Sequence, residues 1–306
     1  MSGSWVAGTV RSRALVSRRL GRARSRSLAG SASLDQAVGV LSAGPYGHDV
    51  RPGSSLAAAQ RAVAAALLWN LRVLAGWLPR DGVVTVRALA GWFELAGLDE
   101  IVRALTGLDA QPAYTVGALR MARSEPELAA SLPDLRARLA RSAWGDPGGD
   151  AGWEIQLGLR LAWAERVAND VPAAAGWAAA GAALLLAREV VLTGRRLPAR
   201  SRARADRLLG PASGQARDLR TFAAALPYSA RWAVEGVAEP SDLWRAEPRF
   251  WLRVEDDGFR LARSPVFGPA PVVGAIALLA VDAWRTRVAL TLAGAEPAPG
   301  MLDALL

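Results

Sequence analysis

Apolar residues recur along this chain at helical spacing, and the recurrences are cut into short lengths by proline and glycine. The first length runs from about Val10 to Leu20 and begins earlier, with Val6, Val10, Leu15, Val16 and Leu20 as its apolar stripe. Leu34 to Leu41 is a short helix that must stop at Gly44-Pro45-Tyr46-Gly47, because proline cannot continue a helix. Ser54 or Ser55 can cap the next helix, which reaches Leu78 and ends at Pro79. Asp81-Gly82 reads as a turn. Val86 to Leu105 reads as helix in two pieces, closed by Thr106-Gly107. Two uncharged runs, Val171–Ala187 and Pro265–Val281, fall short of the roughly 20 apolar residues of a membrane span. Rich in Ala, Gly and Pro, they read as helices buried on all sides in a bundle, which predicts no transmembrane helix.

Some landmarks repeat. The helix-ending triplet Leu105-Thr106-Gly107 returns as Leu192-Thr193-Gly194 and as Leu292-Ala293-Gly294. The short helix ending in Pro45-Tyr46 returns as Asp218 to Pro227-Tyr228, and in degraded form as Leu132 to Trp144-Gly145. Each third thus offers a short helix, an aromatic turn and longer helices closed by glycine. The expected organisation is three helical repeats, 1–107, 108–210 and 211–306, with breaks at Gly107–Pro112, Asp146–Asp150 and Arg195–Gly214.

Composition narrows the chemistry. The 306 residues contain no cysteine, one histidine and no lysine, so all 37 basic residues are arginine. That excludes disulfides, thiolate metal sites, a phosphate-binding loop that needs its lysine, and Schiff-base chemistry. Ile, Tyr and Phe are scarce, which disfavours strands. His48, beside Asp49 and the Pro-Tyr-Gly turn, reads as a structural hydrogen-bonding group. Glu255, Asp256 and Asp257, before Gly258, read as a solvated loop. Of the 12 tryptophans, Trp69, Trp77, Trp92, Trp163 and Trp177 lie among Ala, Leu and Val and read as core; Trp232, Trp244 and Trp251 read as surface. No catalytic constellation emerges, and no cofactor or metal site is expected.

The formal charge of +9 points to an acidic partner or an anionic surface. Seven arginines, Arg11 to Arg26, precede the first acidic residue, Asp35. Their acid-free, Ser-rich setting also fits a transit peptide, but the apolar stripe favours a helix with a basic face. A second cluster, Arg195, Arg196, Arg200, Arg202, Arg204 and Arg207, is the candidate contact for a partner or lipid.

Four segments resemble one family in the same order. Arg11-Ser12-Arg13-Ala14-Leu15 resembles its first-helix Arg-x-Arg-Ala-Met. Leu41 to Gly47, with Pro45, Tyr46 and Gly47, resembles its short helix ending in Thr-Pro-Tyr-Gly. Trp92 to Arg103 is similar to its Asp-x-x-Asn-Ile-x-x-x-x-Arg helix, without the Asn. Pro269-Ala270-Pro271-Val272-Val273, running through Arg287 to Gly294, resembles its final helix, whose Lys-Glu pair is reduced here to Val281-Asp282. The family is that of the C-type central-stalk proteins of bacterial and archaeal A/V-type ATPases, called d-type in the eukaryotic vacuolar enzymes.

The resemblance implies an all-α fold, a funnel of three similar helical bundles in pseudo-threefold arrangement. It implies a non-enzymatic central-stalk component of a rotary ATPase, carrying torque for ion transport between the rotor stalk and the membrane ring of proteolipid subunits. It places the chain in the cytoplasm, peripheral on the inner face of the cell membrane, with anionic lipid headgroups as further partners and no nucleic acid. It also puts the basic N-terminal segment on a family helix. The alternatives are a stand-alone helical-repeat scaffold for an acidic protein or nucleic acid, and an enzyme built from scattered carboxylates.

Overall fold

The computed structural model describes residues 3–121, 125–295 and 305, and all regular structure among them is helical. In chain order the α-helices are α1 (Val6–Ser17), α2 (Arg22–Ala29), α3 (Leu34–Ser42), α4 (Leu56–Ala75), α5 (Arg80–Leu105), α6 (Leu132–Ala140), α7 (Gly152–Asp170), α8 (Ala175–Leu186), α9 (Ala199–Leu209), α10 (Leu219–Ala225), α11 (Tyr228–Arg231), α12 (Ala246–Ala262) and α13 (Pro269–Leu292). Short helices α3, α6 and α10 start alike. The side chains of Ser33, Ser131 and Asp218 accept the N–H three residues on, from Gln36, Asp134 and Thr221. In α3 and α6 the bond is returned: Gln36 and Asp134 accept the N–H of Ala32 and Ala130. Gly107, Gly194 and Gly294 stand just beyond helix ends at φ of +76°, +66° and +76°, the left-handed conformation that glycine adopts without steric cost.

The residues form two compact units, 1–86 with 251–306, and 87–250. The expected thirds cut across these borders. Unit one is built on α13, which is buried along nearly its whole length, from Pro271 to Leu292. Helices α1, α2, α3 and α4 pack on it. Leu28, Val38, Leu41, Val63, Ala283 and Leu290 form its core. In unit two, α7 serves two apolar clusters from opposite sides. Ile155 and Leu159 join Leu95, Leu98, Leu135 and Trp144. Leu157 and Leu161 join Ala180, Ala183, Leu186 and Phe222. The 146–150 loop lies so close to α7 that a Cβ on Gly158 would fall 1.9 Å from the Pro147 carbonyl oxygen.

Several local expectations are revised. The buried face of α1 is Gly8, Thr9, Ser12 and Leu15, whereas Val6 and Val10 are exposed. Small residues let α1 approach its neighbours; a Cβ on Gly8 would strike the Leu78 side chain at 2.2 Å. Asp81-Gly82 is not a turn, because α5 starts at Arg80 and runs unbroken to Leu105. Gly82 makes room for Trp5 instead. Trp69, Trp77 and Trp92 are exposed rather than core, with Trp69 stacked on His48 and Trp92 tilted against Trp163. Glu255, Asp256 and Asp257 lie inside α12, not in a loop.

The two uncharged runs part ways. In the second, Pro265 and Val266 are exposed ahead of α13, and most of the rest is buried within it. The first forms α8. The helical stretch Pro172–Leu192 is, among the described residues, the one long and apolar enough to cross a membrane, and 39% of its most apolar window is buried. It is half-buried, not enclosed on all sides.

Candidate functional site

The polar centre of unit one is Asp282, almost fully buried on α13. Its carboxylate accepts three hydrogen bonds. Leu20 N–H donates to Oδ2 at 3.0 Å, Gly21 N–H to Oδ1 at 2.7 Å, and Tyr46 Oη to Oδ2 at 2.8 Å. One turn on, Thr286 Oγ1 donates to the Asp282 carbonyl at 2.7 Å. Gly21 opens α2 at φ +79°, a conformation few other residues tolerate, and this aims its N–H at the carboxylate. Burial raises the Tyr46 hydroxyl well above its ordinary range, and the Asp282 charge raises it further. Tyr46 is therefore a fixed donor at physiological pH. The arrangement ties α13 to the 20–21 segment and to the turn after α3.

On the same helix, Arg285 meets Glu255 of α12 through two parallel bonds of 2.9 and 2.8 Å. Arg285 is 1% exposed. Burial by itself raises the Glu255 carboxyl, but the Arg285 hydrogen bonds and charge, with Arg19 and Arg22, outweigh it and leave the group below its ordinary value.

Unit two holds a second carboxylate of the same kind. Glu94 on α5 accepts Met121 N–H at 2.7 Å and Trp144 Nε1–H at 2.8 Å. Gly91, one turn earlier, leaves space that a Cβ would take from Met121 and Trp163. Also on α5, Asp99 pairs with Arg160 of α7 at 2.6 Å. Here burial wins over the Arg160 charge and the Asp99 carboxyl is raised.

The residues singled out by sequence separate into working and idle members. Pro45 and Gly47 flank Tyr46 in the turn; a Cβ on Gly47 would fall 2.2 Å from the Ser42 carbonyl oxygen. Gly294 caps α13 with its N–H on the Ser31 carbonyl at 2.9 Å, against the start of α3. A Cβ on Gly107 or Gly194 would meet nothing within 4 Å. Pro227 starts α11, and Tyr228 is 91% exposed, so it does not repeat the buried bond of Tyr46. His48 Nδ1 lies 3.3 Å from Asp49 Oδ1, and its ring is open to solvent.

Much of the second arginine cluster is consumed within unit two. Arg195 pairs with Glu189 at 2.6 Å, Arg200 with Asp146 at 3.3 Å, and Arg204 and Arg207 with Glu165 at 3.7 and 2.5 Å. Arg204 also donates to the Gly158 carbonyl at 3.1 Å; burial lowers its guanidinium pKa. Arg202 has a buried Nε without a partner among the described residues, and Arg196 is exposed. The cluster reads first as a clasp of α9 onto α7 and the 146–150 loop.

The sequence pattern does not single out Asp282, Glu94, Glu255 and Arg285 as site residues. The signal that could have found two of them is a lone acid inside a long apolar run, followed by arginine three residues later on the same helical face. No family model matches this sequence, and no curated protein matches it.

Proposed function

We propose that the chain is a non-catalytic coupling component of a rotary A/V-type ATPase, joining the rotor stalk to the membrane ring and carrying torque for ion movement. The observation that carries the reading is the order of the four resembling segments. Two of them meet in unit one: Tyr46, from the Pro-Tyr-Gly segment, bonds Asp282, from the final helix, across 236 positions of sequence. The funnel of three similar bundles is part of the same proposal. It is supported by the three side-chain-capped short helices and the three left-handed glycine helix ends. A torque-bearing part must be stiff, and close-packed helical cores transmit strain. The absence of lysine supports the non-enzymatic role, since the chain lacks the residue that grips nucleotide phosphates in a phosphate-binding loop.

The test is ATP-driven ion uptake by vesicles carrying the complex, with and without this chain. The expected result is continued ATP hydrolysis by the catalytic head and collapse of ion uptake when the chain is removed. Undiminished uptake without it ends the reading. The scaffold alternative is favoured by one observation, the net charge of +9, and predicts no dependence of ion uptake on the chain.

A further inference from the structure

The positive charge of this protein is unevenly shared. The segments 1–86 and 251–306 hold 16 arginines against nine acidic residues, whereas 87–250 hold 21 against 19. Unit one therefore carries most of the excess. Within it, α1 has an outward stripe at helical spacing, Val6, Val10, Arg13 and Ser17. Val10 is 55% exposed. The stripe ends at the loop joining α12 to α13, where Arg13 Nη2 donates to the Ser264 carbonyl at 2.8 Å and the guanidinium lies 5.9 Å from the Phe267 ring. The tip of that loop is Pro265-Val266, with Val266 66% exposed. An opening of about 370 Å³ sits between α1, α12 and α13, with Val16, Phe259, Ala262, Pro271 and Ala275 as its apolar walls and Arg13 and Arg263 beside them. Arg19 and Arg263 both lie over the Phe259 ring, at 4.9 and 5.5 Å.

The arginines here are arranged unlike those of the Arg195–Arg207 cluster. Arg13 and Arg263 are exposed, and neither has an ion pair with an acidic side chain among the described residues. Fixed cations without counter-charges, around an apolar cleft and beside an exposed valine tip, complement one chemistry well. That chemistry is an anionic headgroup whose attached chain is apolar. Stable attachment to a bilayer takes two signals, apolar insertion and basic charge, and both occur in this patch.

We infer that this face of unit one docks on an anionic phospholipid surface. Val266 and Val10 enter the interfacial layer, Arg13 and Arg263 bind phosphate groups, and the cleft receives the upper part of one acyl chain. The inference does not depend on rotary coupling, because a chain with no ATPase partner would bind vesicles equally well.

The experiment is co-sedimentation of the full chain with vesicles of phosphatidylcholine, and of phosphatidylcholine mixed with phosphatidylglycerol. Binding is expected only to the mixed vesicles, and it should weaken as salt is raised. The double substitution Arg13→Gln/Arg263→Gln should lower the partition coefficient about 30-fold, given the usual attraction of each arginine near such a surface. Val266→Asp, at an exposed loop tip, should lower it about tenfold without moving the thermal unfolding midpoint. Arg196→Gln/Arg217→Gln removes the same charge from exposed positions of unit two and should leave binding unchanged. Equal binding to both vesicle types, binding to neither, or parental binding by the unit-one variants overturns the inference. So does retention on a poly-glutamate resin without binding to anionic vesicles, which would make the partner an acidic protein segment.

Discussion

Unit one and unit two each bury a carboxylate on a long helix, and each gives it an aromatic donor twelve residues after the start of a short capped helix. In unit one the pair is Asp282 and Tyr46, with α3 starting at Leu34; in unit two it is Glu94 and Trp144, with α6 starting at Leu132. Both carboxylates also take backbone N–H groups, from Leu20 and Gly21 in one and from Met121 in the other. The difference lies in burial: Asp282 is 3% exposed and Glu94 8%. The segment from Asp218 to Tyr228, the third apparent copy of the short-helix landmark, puts its tyrosine in solvent. A sequence repeat therefore need not be a repeat of contacts: the short helix recurs three times, and the latch twice.

The largest effect should come from removing the carboxylates. Asp282→Ala orphans three donors, two of them buried, and should cost about 4 kcal/mol of unfolding free energy. Glu94→Ala removes the less buried acceptor, leaving the Met121 and Trp144 donors without it, and should cost about 2–3 kcal/mol. Urea denaturation of the two variants measures both. A larger loss at Glu94 would invert the ranking and show that burial does not set the worth of these latches.

The two ion pairs sharpen the comparison through pH. Glu255 sits below its ordinary range, so its contribution is complete above the unfolded value and is lost as pH falls through the folded one. Asp99 is raised, so its contribution is present below the unfolded value and is lost as pH rises through the folded one. Urea midpoints followed from neutral pH into the acid range should show opposite changes of slope. Glu255→Gln should flatten the acid loss of stability, and Asp99→Asn should steepen it. Slopes changing in the same direction would mean that the two environments are not opposed.

The smallest effect tests the apparent tyrosine repeat. Tyr46→Phe removes one donor from Asp282 and should cost about 1–2 kcal/mol. Tyr228→Phe should stay within about 0.5 kcal/mol, as surface changes usually do. Equal losses at the two positions would restore the equivalence that their exposures deny.

Much of the fold can be read from spacing and punctuation. Ser55 at the start of α4, Pro45 after α3, and Gly107, Gly194 and Gly294 beyond helix ends act locally, on bonds within a few residues. Expectation and structure part where a residue's use depends on a distant partner. Val6 and Val10 carry the apolar signal of α1, yet Gly8, Thr9 and Ser12 make the close contact, because small side chains let helices approach. Gly82 has the form of a turn residue but serves to admit Trp5. The candidate site is less legible still. Tyr46 stands out for its turn, and nothing in its neighbourhood points to an aspartate 236 positions away. The Arg195–Arg207 cluster looks unpaired in sequence because Asp146 and Glu165 come from a different stretch of the chain.

The Tyr46–Asp282 bond also bears on the order in which the protein can be finished during synthesis. Unit one is assembled from segments on either side of unit two, the whole of which is translated between them. Helix α1 emerges before unit two, whereas α13, on which it packs, emerges after it. Until α13 follows, the Leu20 and Gly21 amides and the Tyr46 hydroxyl lack the carboxylate that they bond in the folded protein. Residues 87–250 can close their two apolar clusters earlier. Helices α1 to α4 thus wait on the nascent chain through the synthesis of unit two, and have more to gain from a holding chaperone than unit two has.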